Sequence, residues 1–356
     1  MHNVNERSDK FNDKLLALVK AVIPFHYEEK KNNEVPDLSK PVTVTTSSVK
    51  NFINYLKAKK ELRKLDLKGL EWTYNNLEDE YSKEMMLMLI VYKLFDDVKL
   101  RFPLFYSDYF DQLQSFEKLV IDDEEIDCWF NIIKLRKYDL NPLGYDLKMW
   151  ENPVGMLIEF VQEQYRYKNI VTVEENDNVI DGGGCYGDTA LYFAEKSKGM
   201  IYSFEFMQEN LEVFNKNIEL NPKYKERIQL VAQPLGEKSH EKLYATFNGP
   251  GTAISNKQSE NADCFETISI DDFVQQNQVE KIDFIKLDVE GSEEAILKGA
   301  INTIKKFKPK LAICAYHKKD DLVVLPKLIK EYVPEYKLYL KHNTIMVNET
   351  VIYAIV

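Results

Sequence analysis

The chain has 356 residues, 44% hydrophobic and 29% charged, with 13 Gly and 12 Pro. At roughly 150 residues per domain this predicts two globular domains and excludes disordered, collagen-like and disulfide-scaffold classes. Fifty-eight acidic against 47 basic residues leave a formal charge of −11, which repels a polyphosphate backbone and argues against nucleic-acid partners.

The longest apolar run, Met85 to Tyr92, falls far short of the ~18 residues that span a bilayer. The opening residues MHNVNERSDK lack a basic-then-apolar signal pattern, so a cytoplasmic chain with no membrane span is expected. Cys128, Cys185, Cys264 and Cys314 form no C-x-x-C pair and read as buried free thiols.

Residues 1–150 read as a mainly helical N-terminal domain. Helical spacing links Phe11, Leu15, Leu18, Val19 and Val22, then Phe52, Tyr55 and Leu56, then Met85, Met88, Leu89 and Tyr92. The acidic run Asp122 to Glu125 reads as a solvated loop. Cys128 to Asp139 is rich in aromatic and β-branched residues, and the turn at Asn141-Pro142 sets it up to pair with Tyr145 to Met149. Val154 to Tyr167 returns to a helical pattern, with Met156, Leu157, Phe160, Val161 and Tyr165 on one face.

Residues 151–356 change character. The apolar runs Val179-Ile180, Met200 to Phe206, Ile228 to Val231, Ile282 to Leu287 and Leu311 to Ala315 alternate with amphipathic stretches. Such alternation predicts βαβ units and a mostly parallel, doubly covered α/β sheet. Tyr336 to Leu340 and Thr350 to Val356 add an antiparallel C-terminal edge, and Lys242 to Phe247 with Phe265 to Ile270 form an inserted hairpin.

Asp181-Gly182-Gly183-Gly184-Cys185-Tyr186-Gly187-Asp188 follows the first strand of this half and opens a helix, with Asp188 placed to cap it. Gly182 to Gly187 also satisfies G-x-G-x-x-G, so spacing alone leaves a dinucleotide open. Asp181 repels a pyrophosphate and attracts a methionine-derived α-amino group or a sulfonium, whereas Glu205, at the next strand end, suits an adenosine ribose in either cofactor.

A second constellation, Lys286-Leu287-Asp288-Val289-Glu290-Gly291-Ser292-Glu293, ends a buried strand where parallel sheets build their sites. Asp288 and Glu290 can accept a proton, orient a hydroxyl or hold a cation, while Glu293 and Glu294 read as helix-capping acids.

Together these stretches resemble the FkbM-type S-adenosylmethionine-dependent methyltransferases. The likeness rests on VIDGGGCYGDTALYFA, SFEF, DFIKLDVEGSEEAILKGA and KPKLAICAYHK, and it covers roughly residues 150 to 356. The chain departs from the family pattern at Phe206, where Pro is frequent, and at Gly184, where Ala is. The resemblance implies a Rossmann-like methyltransferase fold and S-adenosyl-L-methionine as cofactor, held by Asp181, Gly182, Gly184, Gly187, Asp188, Glu205 and Asp288. It also implies O-methylation of a sugar, glycan or other small hydroxylated acceptor.

Catalytic candidates are Asp288, Glu290 and His317, the last a base at neutral pH from its ordinary pKa of ~6.5, with His342 behind it. A divalent metal on Asp288 and Glu290 is left open because spacing identifies no third ligand. Gly249 to Ser255 reads as a flexible lid. The N-terminal domain is expected to shape the acceptor pocket or make a homo-oligomer contact. An NAD(P)-dependent oxidoreductase and a non-catalytic cofactor-binding module are the alternatives.

Overall fold

Apolar positions at helical spacing in the first half form helices that lie on the sheet of the second half. The structure, a computed structural model, describes residues 11–20, 57–94, 106–129, 132–246, 253–255, 263–345 and 348–356. Phe52, Tyr55 and Leu56, together with Val22, lie outside the described residues.

In the Glu80–Leu94 helix Met85, Met86, Leu89, Ile90 and Val91 are all buried. A helix apolar around most of its girth must be covered on several sides. It packs with the Leu67–Asn76 helix against one sheet face, in a hydrophobic cluster that also holds Ile285, Leu287, Leu311, Ile313 and Ile352. That cluster draws on residues from both sides of position 150. Two buried hydroxyls pin the contact: Thr73 Oγ1 donates to Leu322 O at 2.8 Å, and Leu340 N–H donates to Ser82 Oγ at 3.0 Å.

A small antiparallel sheet follows, of β1 (Val120–Cys128), β2 (Ile133–Asp139) and β3 (Lys148–Glu151) in that order. The β2–β3 pair is the one the sequence predicts, with Tyr138 opposite Met149. Asp122 to Glu125, expected as a loop, instead lie within β1. Lys137 and Lys134 on β2 face these acids, and cross-strand opposite charges let an exposed strand carry them. The helical pattern from Val154 ends at Val161 as a short π-helix, Met156–Val161, rather than at Tyr167, and Glu163 at φ +47° turns the chain away.

The main sheet contains β4 (Val179–Gly182), β5 (Ile201–Phe204), β6 (Ile228–Val231), β10 (Phe284–Leu287), β11 (Lys310–Cys314), β12 (Lys337–His342) and β13 (Thr350–Ile355). Its order is β12-β13-β11-β10-β4-β5-β6. All pairs are parallel except those of β13, which inserts antiparallel between β11 and β12. The expected antiparallel element is therefore one inserted strand, and β12 is the edge.

Both faces are covered. Ile285, Leu287, Leu311 and Ile313 point to the face under the N-terminal helices, and Phe284, Ala312 and Cys314 to the other, with Phe193, Leu191 and Met156. Side chains alternate along each strand with period two, so one buried sheet feeds two cores.

The insertion forms a three-stranded sheet, β8-β7-β9, from β7 (Lys242–Thr246), β8 (Ala253–Ser255) and β9 (Asp263–Glu266). Its last strand stops at Glu266, and the Ile270–Gln276 helix begins where a strand end was expected, capped by Ser269. Of the suggested lid, Gly249 to Thr252 lie outside the described residues. All four cysteines are free, but Cys264 is exposed on β9, contrary to the expectation of four buried thiols.

Candidate active site

β4 and β10 are neighbours, and the helices that follow them pack on opposite faces, so a crevice opens between their C-terminal ends. A cleft lies there, lined by Gly183, Cys185, Glu205, Asp288 and Glu290 among others. No Lys or Arg lines it among the described residues.

The glycine loop is shaped by close approach. At Gly183, φ is +80° and a Cβ would sit 1.9 Å from Asp288 O, so only glycine lets the loop touch the end of β10. Gly183 and Gly184 N–H both donate to Phe204 O, and Cys185 N–H donates to Glu205 Oε2 at 3.1 Å. These bonds fasten the loop to β5. Gly182 and Gly187 bracket the turn, and the Asp188–Lys196 helix starts directly after it. Gly187 is the N-cap, with no side-chain cap bond, so the expected capping by Asp188 is not made.

Asp181 is placed differently from the sequence expectation. It is wholly buried beneath the loop, accepting from Thr189 Oγ1 at 3.0 Å and Ser203 Oγ at 2.7 Å, with Lys286 Nζ 3.0 Å away. Its oxygens are used internally, so it braces the loop instead of facing the cleft. Lys286, 1% exposed, also donates to Gly183 O at 2.5 Å. Burial opposes its charge, but Asp181, Asp288, Glu159 and Asp188 outweigh that and hold its pKa above the ordinary lysine value.

Glu205 does line the cleft, one residue beyond β5. It accepts from Phe206 N–H at 2.6 Å, Met207 N–H at 2.8 Å and Asn210 Nδ2 at 3.2 Å, besides Cys185. Burial raises its pKa against those donors. A carboxylate so oriented at this strand end matches a ribose diol.

The second constellation closes around His317. Its Nδ1 is 2.8 Å from Glu293 Oε1, and its Nε2 is 3.5 Å from Asp288 Oδ1 and 3.6 Å from Glu290 Oε2. Burial works against the imidazolium, yet Glu293, Asp288 and Glu290 push its pKa up to about 9. This surrounding of carboxylates favours the imidazolium of His317, against the ordinary pKa expected from sequence. Glu293, expected as a helix-capping acid, opens its helix 1% exposed and receives Val289 N–H at 3.0 Å. Glu294 remains on the surface, paired with Lys298 at 2.7 Å.

Tyr165 and Tyr316 donate to the two oxygens of Asp288, each at 3.0 Å. Burial raises both phenols well above 10, so they stay protonated donors. Glu290 has φ +53° and is followed by Gly291 at φ +92°, a strained turn that turns its side chain into the cleft. Burial lifts Glu290 to about 7 despite the opposing His317, and burial with Asp288 lifts nearby Glu349 to about 8.

Asp288, Glu293 and His317 each bring a donor atom within 4.8 Å of the others, a spacing a metal ion could use. Because each ring nitrogen faces a different carboxylate, a protonated imidazole already supplies the positive charge there. His342 is buried against Thr350, at 2.8 Å, and does not line the cleft.

Sequence reasoning missed Trp129. Beyond β1, its N–H donates to Glu209 Oε1 at 2.7 Å and the residue lines the cleft. It lies 80 residues from its partner, so no local pattern marks it. Glu151 and Glu159, both buried beside the glycine loop, were missed as well.

This crevice, at the switch point of a sheet whose single antiparallel strand is the next to last in order, defines a Rossmann-like methyltransferase fold. Residues 181–342 match the model of the methyltransferase FkbM domain. A crystal structure of methyltransferase FkbM from Methylobacillus flagellatus KT superposes with TM-score 0.54 at 19% identity, covering 85% of this chain and 61% of that one. The chain thus spans less than two thirds of that protein's length. Aeropyrum pernix fibrillarin, solved with bound S-adenosyl-L-methionine, aligns at TM-score 0.37 and 12% identity, over 66% of this chain and 99% of its own. Comparison with curated proteins returns no match.

Proposed function

We propose that the chain is an S-adenosyl-L-methionine-dependent methyltransferase that methylates a hydroxyl of a sugar, glycan or other small acceptor. The observation that carries this reading is the cleft's charge: Glu205, Asp288 and Glu290 line it, and no Lys or Arg does among the described residues. A sulfonium donor is drawn into such a site, whereas a pyrophosphate is repelled, which disfavours the NAD(P) alternative. The residues fit the donor: Glu205 and Asn210 face a ribose, Trp129 and Phe206 offer apolar walls to an adenine, and the glycine loop admits close backbone approach.

When bound, the donor supplies an electrophilic methyl group on a cationic sulfur. The protein's part is to hold the acceptor oxygen in line and take its proton. Glu290, near pKa 7 and lining the cleft, is the proton acceptor in this reading. Asp288, fixed by Tyr165 and Tyr316, orients the acceptor hydroxyl, and the His317 imidazolium balances the two carboxylates. The acceptor's proton would pass to Glu290 as the donor's methyl group moved to the acceptor oxygen.

Residues before 150 contribute Trp129 to the cofactor wall, which favours a pocket-shaping role for them in a cytoplasmic enzyme. No described helix is long and apolar enough to cross a membrane. Calorimetric titration with S-adenosylhomocysteine and with NADH tests the reading; binding of NADH alone would overturn it. Labelled methyl transfer to hydroxylated acceptors, lost in Glu290→Gln with cofactor affinity intact, tests the chemistry.

A further inference from the structure

Trp129 is held in a conformation that its own chemistry disfavours. Its φ is +52°, a left-handed backbone that a bulky residue keeps only when its surroundings impose it. Two consecutive residues in the first turn of the Gln208–Leu220 helix impose it here. Glu209 Oε1 accepts from the Trp129 backbone N–H at 2.7 Å, and Asn210 Oδ1 accepts from the indole Nε1–H at 3.4 Å. The ring also lies 5.8 Å from that of Tyr186 in the glycine loop. An apolar wall needs neither the left-handed turn nor the indole bond.

The direction of these bonds is forced. Asn210 Nδ2 donates to Glu205 Oε2 at 3.2 Å, beside the Cys185 N–H on the same oxygen. A carboxylate accepts, so Asn210, 9% exposed, must turn its amide nitrogen toward Glu205 and its carbonyl oxygen away. That oxygen then requires a donor, and an indole N–H can only donate. Trp129, Asn210 and Glu205 all line the cleft. The small sheet that ends β1 at Trp129 is locked to the same helix. Asn217 Oδ1 accepts from Trp150 N–H at 2.6 Å, while its Nδ2 donates to Trp150 O at 3.1 Å and to Tyr186 O at 2.8 Å. Asn221 brackets Lys148 in the same way, at 3.0 and 2.6 Å. One helix therefore fixes the sheet, the glycine loop and Glu205 relative to one another.

We propose that Trp129 is a positioning residue: its indole N–H sets the Asn210 amide, which in turn holds Glu205 in the orientation that meets a ribose. The inference rests on the donor assigned under Proposed function, and adds to it a route by which residues before 150 govern donor affinity. Trp129 precedes residues 181–342, outside the part matched by the family model. Without the indole N–H the Asn210 oxygen is orphaned, and turning the amide over would set a carbonyl against a carboxylate. Either way Oε2 of Glu205 loses a fixed donor. The worth of the indole bond therefore depends on a carboxylate being present to orient.

The test is a double-mutant cycle on the full chain, read by calorimetry with S-adenosylhomocysteine. Trp129→Phe keeps an aromatic wall and deletes the indole N–H, and it should raise the dissociation constant about fivefold, the scale of one neutral hydrogen bond. In a Glu205→Gln background the same substitution should change it by less than about twofold, because no carboxylate is left to orient. Asn210→Ala removes the link itself; it should weaken binding about fivefold or more and likewise make Trp129→Phe silent, and it carries the test if Glu205→Gln does not fold. A loss that persists undiminished in these backgrounds marks Trp129 as an apolar wall only, and no loss in the parent chain marks it as a bystander. Either result overturns the proposal while leaving the donor assignment standing. Failure of S-adenosylhomocysteine to bind the wild type overturns the donor assignment and this proposal with it.

Discussion

Replacing Lys286 by methionine keeps the stem that fills its site and deletes the charge that holds the loop together. In the native chain its ammonium lies 3.0 Å from Asp181 Oδ1 and 2.5 Å from Gly183 O, at 1% exposure. The variant leaves Asp181, itself wholly buried, with only the Thr189 and Ser203 hydroxyls. Breaking a buried pair from one side costs about 3–5 kcal/mol, and the two surviving hydroxyl donors place this case at about 3. Urea unfolding at pH 7 should register that loss. Adding Asp181→Asn should recover part of it, because the double variant no longer buries an uncompensated charge. A Lys286→Met protein within about 0.5 kcal/mol of wild type, a magnitude typical of surface changes, would refute this account of the loop.

Gly183→Ala should abolish cofactor binding and destabilise the chain by at least about 2 kcal/mol in the same assay, since its Cβ would meet Asp288 O at 1.9 Å with φ at +80°. Glu205→Ala should weaken S-adenosylhomocysteine at least tenfold by calorimetry, roughly the worth of two neutral hydrogen bonds to a ribose. His317 has its pKa raised in the folded state, from 6.5 to about 9. Its stabilising contribution, about 3 kcal/mol by linkage, is fully present below about pH 6.5 and is lost as pH rises through about 9. Denaturation between those limits should show that fall in wild type and a flatter profile in His317→Gln.

What could be read from the chain in advance is what local chemistry constrains. Apolar runs such as Phe284 to Leu287, bounded by turn residues, can only be buried strands, and a glycine cluster directly after one announces a tight turn with room for a ligand. The acids at Glu205, Asp288 and Glu290 were locatable for the same reason: each sits at a strand end, the place a parallel sheet reserves for its site.

The state of those groups depended on partners remote in sequence. Tyr165, 123 residues before Asp288, holds that carboxylate, and Glu293, 24 residues before His317, raises the pKa of the imidazole. Thr189, Ser203 and Lys286 occupy Asp181, while Trp129 reaches the cleft from a separate sheet. Periodicity and turn chemistry act over a few residues, so the sequence alone determined the strands, the loop and the strand-end acids. Burial and charge act through space between segments the fold brings together, so only the tertiary structure decided which acids line the cleft, which brace the loop, and which are buried without a partner.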